Sequence, residues 1–245
     1  MAGTQDSLRG RPASGSQSDA GKGADRRSPG AAAQRAAVVA LFGVLYHSGL
    51  RPEEAVSLRV QDVKIPQLGT DGNTQRDELD DLWGELHLQS ASPDAGKQWT
   101  DDGTDRDHRG LKHRAEGESR TVPCPPALVT LLREHLDRFG GTADGPLFRG
   151  VQGRPIATIT YRRAWNRARE TALTAESYRS PLARRPYDLR HACLSTWPNG
   201  GVAPTQVAEW AGHSAEVLLR VYAKCLAGQH ETAKRRISAA LDQTQ

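Results

Sequence analysis

Residues 187 to 222 read YDLRHACLSTWPNGGVAPTQVAEWAGHSAEVLLRVY, and they contain the clearest structural pattern in the chain. Apolar spacing, with proline and glycine as boundaries, predicts three short helices here. They lie near Asp188–Thr196, Pro204–Ala211 and Ala215–Tyr222. The first helix contains Arg190, His213 follows the second helix, and Tyr222 ends the third.

These three residue types together suit phosphodiester chemistry. An arginine fork binds two phosphate oxygens, a histidine adds a hydrogen bond, and a tyrosine hydroxyl can act as a nucleophile. Because a tyrosine has a pKa of about 10, it needs positive neighbours or a base to react at neutral pH. Each residue also has a purely structural interpretation: Arg190 in an ion pair, His213 as a helix cap and Tyr222 as a core aromatic.

Two helices are predicted before this region. The apolar run from Ala31 to His47 indicates a buried helix that Gly49 closes. In LRPEE, residues 50 to 54, the proline takes a first helical position and the acids fill the first turn. Arg51 is therefore expected at the entrance of a second helix.

A small antiparallel sheet is predicted between the helical parts. Residues 83–89 alternate apolar and polar side chains, and residues 120–123 are rich in strand-forming types. We expect residues 110–113, GLKH, to form the middle strand, and the acidic, glycine-rich residues 94–107 to form an insertion loop. Further helices are predicted after Pro126, near 158–173 and near 229–241. The fold class is α+β, mainly α.

The distribution of charge and of cysteine along the chain favours some classes of protein over others. Residues 53–107 contain 5 Lys/Arg and 14 Asp/Glu, a balance of −9, whereas residues 146–245 contain 15 and 7, a balance of +8. A basic half is typical of a protein that binds nucleic acid. The three cysteines are widely spaced without a Cys-x-x-Cys pair, which argues against a disulfide framework and a zinc site. Residues 1–30 are small and polar, and we predict a disordered tail there.

The arginine motifs resemble those of the tyrosine recombinase, or phage integrase, family, of the actinobacterial type. YHSGLRPEEAVSL, residues 46 to 58, is similar to the family's first arginine box, with Arg51 and Glu54 at the matching positions. PYDLRH, residues 186 to 191, is similar to the second box. The intervals of 23 residues from Arg190 to His213 and of nine from there to Tyr222 also match the family.

A third motif lies between the two boxes. LKHR, residues 111 to 114, followed by SRTVP, residues 119 to 123, resembles the hairpin that carries the catalytic lysine of the family, here Lys112. The resemblance covers residues 31 to 241. It implies a tyrosine recombinase catalytic domain over residues 31–245, without the helical core-binding domain that usually precedes it.

The resemblance also implies a mechanism. The family cleaves double-stranded DNA through a 3′-phosphotyrosine and rejoins it, and it needs no metal and no nucleotide cofactor. A C-terminal helix, here residues 229–241, couples protomers in a homotetramer on DNA. We expect a cytoplasmic, nucleoid-associated protein, because no secretory signal and no run of about 20 apolar residues occurs. The residues implied in catalysis are Arg51, Lys112, Tyr187, Arg190, His213 and Tyr222, with Glu54 and His191 in support.

Two residues depart from the pattern, and other functions stay open. Pro198 lies at the end of the helix that bears Arg190, and Tyr187 lies in the second box. Tyr187 stands where most relatives have histidine, and a phenol cannot serve as a base at neutral pH as an imidazole does. The first alternative is a truncated, inactive integrase remnant that only binds DNA. The second is a helix-turn-helix regulator built on residues 203–222, and the third is a type IB topoisomerase.

Overall fold

The computed structural model is a mainly helical chain with one small antiparallel sheet, as the sequence predicted. It describes residues 31–66, 82–91, 93, 110–111, 118–150, 152–222 and 230–242, without the side chains of 31–36, 221–222, 230, 232 and 240. The helices within these residues are α1 (Ala31–His47), α2 (Pro52–Ser57), α3 (Pro126–Phe139), α4 (Thr158–Ala172), α5 (Ala175–Arg179), α6 (Tyr187–Asn199), α7 (Pro204–Ala211), α8 (Ala215–Tyr222) and α9 (His230–Asp242). The strands are β1 (Val63–Lys64), β2 (Gly84–Leu88) and β3 (Arg120–Cys124).

The turn between α1 and α2 confirms the prediction for this region. α1 is apolar around much of its circumference because it packs against both α3 and α6. Gly49 has φ of 60°, and a Cβ atom there would lie 3.2 Å from Cys193 Sγ, so the turn requires glycine. Pro52 begins α2, which leaves Arg51 as its N-cap residue.

The sheet has the strand order β1-β2-β3, and both pairs are antiparallel. Leu86 lies opposite Val63 on one side and opposite Val122 on the other. Side chains of β2 and β3 alternate, so that Leu86, Leu88 and Val122 are buried on one face. These side chains belong to the same apolar cluster as buried residues of α1, α2 and α3.

The prediction of a middle strand at residues 110–113 is wrong. β2 pairs directly with β3 on one edge and with β1 on the other, so no position remains between the two predicted strands. Residues 110 and 111 lie outside any strand, although Leu111 is buried in the core. Residues 112 and 113, together with the predicted insertion loop at 94–107 and the predicted tail at 1–30, lie outside the described residues.

The later helices follow the predicted segments closely. α6 begins one residue before its predicted start and ends at Asn199, immediately after Pro198. Two short elements, α5 and β1, were not predicted, because five and two residues are too few to show a periodic pattern. No helix in the described ranges is long and apolar enough to cross a membrane.

Two groups of apolar side chains form the core. The larger group joins α1, the sheet and α3, with Leu45, Leu86 and Leu132 fully buried. The smaller group joins α6, α7 and α8 through Leu194 and Leu218, among others. Trp197 packs against both groups. The turn between α1 and α2 meets the turn between α7 and α8 through a hydrogen bond from Arg51 to Gly212. The candidate site lies where these two turns meet.

Candidate active site

Glu54 is the centre of a buried cluster of charged side chains. It is the third residue of α2, and its side chain is 1% exposed. Glu54 Oε2 accepts a hydrogen bond of 2.8 Å from the backbone N–H of Arg51, which caps the start of α2. Glu54 Oε1 accepts a second bond of 2.7 Å from Arg51 Nη1. The start of α2 therefore fixes the arginine and the carboxylate relative to each other.

The turn between α7 and α8 brings a second segment to this cluster. α7 ends at Ala211, and its C-cap residue Gly212 is left-handed, with φ of 62° and ψ of 45°. Arg51 Nη2 donates a hydrogen bond of 2.9 Å to the carbonyl oxygen of Gly212, although the two residues are 161 positions apart in the chain. His213 follows directly, so this contact holds the histidine next to the start of α2.

Arg190 connects the two turns. Its side chain is completely buried in the first part of α6. Arg190 Nη1 donates to the carbonyl oxygen of Gly49, and Nη2 donates to Ala211 O at 2.6 Å and to His213 Nε2 at 3.0 Å. Arg190 Nη1 is also 3.8 Å from Glu54 Oε2. A single guanidinium thus contacts both turns through its fixed fork of donors.

Arg120 is a further member of the cluster that the sequence analysis did not assign to the site. Its Nη2 donates a hydrogen bond of 2.8 Å to Glu54 Oε2, and the side chain is 1% exposed. A signal was present in the sequence, since Arg120 shares the inward face of β3 with Val122 and Cys124. An arginine among inward apolar residues requires a buried anion.

The charges of the cluster set the ionisation of Glu54. Burial alone would raise the pKa of Glu54, but the positive charges of Arg120, Arg51 and Arg190 outweigh it and hold the pKa below its ordinary value. Glu54 is therefore a carboxylate at neutral pH. With three arginines and one carboxylate, 3 − 1, the buried cluster has a net charge of +2. Such a cluster is suited to bind an anion.

His213 is neutral at neutral pH. Burial is the main cause that lowers its pKa to about 4, and the charges of Arg190 and Arg51 add to the effect. Since an arginine can only donate, His213 Nε2 accepts the bond from Arg190, and the ring proton lies on Nδ1. That Nδ1 atom is buried and has no hydrogen-bond partner in the described part of the chain.

We expect the protein to lose stability as the pH falls from 6.5 towards about 4. In this window the unfolded chain binds a proton at residue 213 that the folded chain does not bind, so acid favours unfolding. Burial lowers the pKa of His135 and His191 as well, which acts in the same direction. The test is the urea midpoint at about pH 7.5 and about pH 5 for the wild type and for His213→Gln. The variant should lose less stability in acid, and an unchanged difference would contradict the role of His213.

The substitution Gly212→Ala is expected to destabilise the protein and to displace the Arg120 side chain. A Cβ atom on Gly212 would lie 2.0 Å from Arg120 Nη1 and 3.3 Å from Arg51 Nη1. The left-handed backbone alone costs a non-glycine residue about 1 kcal/mol, and the clash adds to this cost. Gly153→Ala is the matched control, because Gly153 has φ of 73° and open space around its Cβ position. Urea unfolding should show a larger loss of unfolding free energy for Gly212→Ala than for Gly153→Ala. Equal losses would mean that the Arg120 side chain moves aside without cost.

The other predicted site residues lie outside the Glu54 cluster or outside the description. Tyr187 begins α6, and its ring packs edge to face against His191 at 5.0 Å between centroids. Burial lowers the pKa of Arg190, and the Tyr187 phenol acts in the opposite direction. Tyr187 is therefore close to the Arg190 guanidinium. His191 lines a separate groove between α4 and α6, with Arg162 among its neighbours. Lys112 and the side chain of Tyr222 lie outside the described residues, although Tyr222 is the last residue of α8.

Other polar groups in the described ranges do not form a metal site. No group of three or more His, Cys, Asp or Glu side chains there could hold a metal ion. Cys124 and Cys193 are free and buried, and burial raises the pKa of both thiols to about 12. Both behave as core residues, while Cys225 lies outside the description.

Comparison with known proteins gives similarity in structure only. No protein-family model matches the chain, and no curated protein sequence matches it. The XerH site-specific recombinase bound to its difH substrate, in a pre-cleavage complex, is similar with a TM-score of 0.51 and 17% identity, over 77% of this chain and 43% of that one. The Tn1549 transposon integrase in complex with a circular intermediate DNA is similar with a TM-score of 0.55 and 16% identity, over 82% of this chain and 58% of that one.

A post-cleavage complex of XerH with a palindromic difH substrate agrees, with a TM-score of 0.52 and 17% identity, over 87% of this chain and 48% of that one. The chain thus spans about half the length of these solved recombinases. The similarity covers 77% to 87% of the mainly helical chain described above. The chain has the fold of a tyrosine recombinase catalytic domain.

Proposed function

We propose that residues 31–245 are the catalytic domain of a site-specific DNA recombinase that cuts and rejoins DNA through a covalent bond to Tyr222. The observation that carries this proposal is the convergence of Arg51, Arg190 and His213 on one buried carboxylate, Glu54. Three distant segments supply these side chains. The similar proteins XerH and the Tn1549 integrase were solved in complexes with DNA, which supports DNA as the substrate.

In this proposal the two box arginines bind the scissile phosphate. Arg51 and Arg190 would donate to its non-bridging oxygens, where negative charge increases in the pentavalent transition state. The cluster charge of +2 is suited to that state, because a phosphodiester under attack by a phenolate carries two negative charges. Glu54 orients Arg51 through both of its oxygens. Neutral His213 would donate a hydrogen bond to the phosphate.

The covalent step uses the two residues whose side chains are not described. Tyr222 gives its phenolic proton to solvent and attacks the phosphorus atom in line, which forms a 3′-phosphotyrosine and breaks the bond to the 5′ oxygen. Lys112 would give a proton to this oxygen as it leaves. The 5′-hydroxyl of another strand then attacks the phosphotyrosine and releases Tyr222. Tyr187 keeps a hydrogen-bonding role, since its phenol is a poor base at neutral pH.

The surface charge supports binding to a long polyanion. Exposed arginines lie along α4, and the C-terminal half of the chain contains more basic than acidic residues. α9 exposes Ile237 and Leu241, which are 61% and 65% accessible. We propose that this apolar stripe docks on a neighbouring protomer in a homotetramer on DNA. Lys234 lies on the same helix and pairs with Glu231 at 3.0 Å.

The proposed function is tested by trapping the covalent intermediate. The chain is expressed in bacteria with the DNA that flanks its own gene, the cells are lysed in SDS, and protein-bound DNA is collected and sequenced. The expected result is DNA that stays attached after denaturation and maps to a single short site. Non-covalent complexes do not survive this treatment.

Two other functions predict no adduct. An inactive integrase remnant would bind DNA without cutting it, and a helix-turn-helix regulator would use α7 and α8 to read the major groove. A regulator has no need of the bond from Arg51 to the turn between these helices. Failure of the wild type to form an adduct, with DNA binding retained, would favour these functions over the proposed one.

A further inference from the structure

Arg120 adds to the charge of the cluster but makes no contact with the phosphate in the proposed chemistry, although it is as deeply buried as the two arginines that do. It is one of three arginines that surround Glu54, and its Nη2 is 2.8 Å from Glu54 Oε2. Its Nε and Nη1 atoms are buried without a hydrogen-bond partner in the described ranges. A buried guanidinium with unused donors is costly, so its ion pair with Glu54 must account for its position.

The two oxygens of Glu54 are divided unequally among the arginines. Oε1 accepts from Arg51 Nη1, while Oε2 accepts from the backbone of Arg51 and from Arg120. Arg190 Nη1 remains 3.8 Å from Oε2, beyond hydrogen-bond distance. Its donors go instead to carbonyl oxygens and to His213. Arg120 therefore occupies the carboxylate oxygen that is nearest to Arg190.

We propose that Arg120 is a positioning residue that occupies Glu54 Oε2 and thereby keeps Arg190 off the carboxylate and available for phosphate. The inference rests on the proposed function, because the contact between Arg190 and a phosphate is itself part of that proposal. Without Arg120, a buried carboxylate oxygen would lose its charged donor. Arg190 is then the nearest arginine that does not already bond Glu54, with its Nη1 3.8 Å from Oε2, and in a site of low dielectric the attraction between them is strong.

The packing of Arg120 against the turn supports this assignment. The guanidinium lies on Gly212, where a Cβ atom would be 2.0 Å from Nη1. Arg120 thus fills the space between the carboxylate and the turn that carries His213. Glycine at 212 and arginine at 120 form one steric unit, so the guanidinium has little freedom to leave Glu54.

The first test compares single-turnover cleavage of a suicide DNA substrate by variants of position 120. Arg120→Met removes the charge and keeps the length, and we expect cleavage to slow by about 10²-fold while DNA affinity stays nearly unchanged. Arg120→Lys restores the positive charge at Glu54 and should recover much of the rate. Arg169→Met is the matched control, because Arg169 is also buried and has an unpaired Nε but bonds the carbonyl oxygens of Tyr178 and Leu182.

A double variant separates positioning from a merely structural role. Glu54→Gln should slow the wild type, since Arg51 loses its ion pair. In the Arg120→Met background the same change should speed cleavage, because no carboxylate remains to attract Arg190. If Arg120 only supported the fold, the second change would slow the reaction further. That result, or a wild-type rate for Arg120→Met, would overturn the proposal.

A crystal structure of Arg120→Met provides a readout that does not depend on activity. The expected finding is that the distance from Arg190 Nη1 to Glu54 Oε2 shortens from 3.8 Å to a direct bond. An unchanged distance would overturn the proposal even where cleavage is slow. If the wild type forms no covalent adduct, the proposed function fails, and this distance alone decides whether Arg120 positions Arg190. Arg120→Gln replaces Arg120→Met should the latter not fold.

Discussion

Phenylalanine at position 222 is expected to abolish the covalent adduct while DNA binding and folding are retained. Tyr222 is the residue that the family spacing assigns as the nucleophile, and it ends α8 nine positions after His213. Removal of one hydroxyl leaves no atom at this position that can form a phosphodiester bond. Loss of a nucleophile typically reduces the rate by about 10⁴-fold or more, which is complete loss in a trapping experiment.

The measurement is the amount of DNA retained after SDS denaturation, with a gel shift on the same site to record binding. Tyr161→Phe is the matched control, because Tyr161 is a buried tyrosine of α4 in the main core. The control should form the adduct at the wild-type level. Persistence of the adduct in Tyr222→Phe would place the nucleophile at another residue and sink the assignment.

Lysine at position 190 is expected to reduce single-turnover cleavage by about 10²- to 10³-fold. Lysine keeps the positive charge but has no planar fork, so it cannot contact the carbonyl oxygens, His213 and a phosphate in one geometry. In the wild type, Arg190 is completely buried and contacts both turns of the site. The loss should therefore be in the chemical step and in the position of His213.

The measurement is the cleavage rate at saturating protein, with the dissociation constant for DNA determined separately. Arg133→Lys is the control, since Arg133 lies in α3 and donates to the carbonyl oxygen of Pro66, away from the Glu54 cluster. We expect the control to cleave normally. A variant Arg190→Lys that binds DNA weakly but cleaves normally once bound would show that Arg190 serves binding and not the transition state.

The helices of the site were predictable because their signals are local. The apolar run of α1, the proline at the start of α2 and the glycine after α7 each act within a few residues, and the structure confirms all three elements. Arg51 was expected at a helix entrance for the same reason. The spacing of Arg190, His213 and Tyr222 further linked these helices to one family fold, which the structural comparisons support.

The error in the sheet has a different cause. The partner of a strand depends on segments far away in the chain. Residues 110–113 lie between the two predicted strands in the sequence, but they do not lie between them in the sheet. β1, with two residues, takes one edge of β2, and β3 takes the other. A strand of two residues is too short to show an alternating pattern, so nothing in the sequence indicated that β1 would pair with β2. Strand pairing was therefore decided by the packed structure.

Local patterns in the chain thus determined most of the helices and two of the strands, and the resemblance to a family indicated Arg51, Glu54, Arg190 and His213 as site residues. Only the tertiary structure decided that Arg120 joins them, because its bond to Glu54 spans 66 positions and the bond from Arg51 to Gly212 spans 161. Burial is the physical reason. A carboxylate removed from water requires charged donors from whichever segments pack around it, and the alternation along β3 indicates that Arg120 is buried but not which carboxylate it meets.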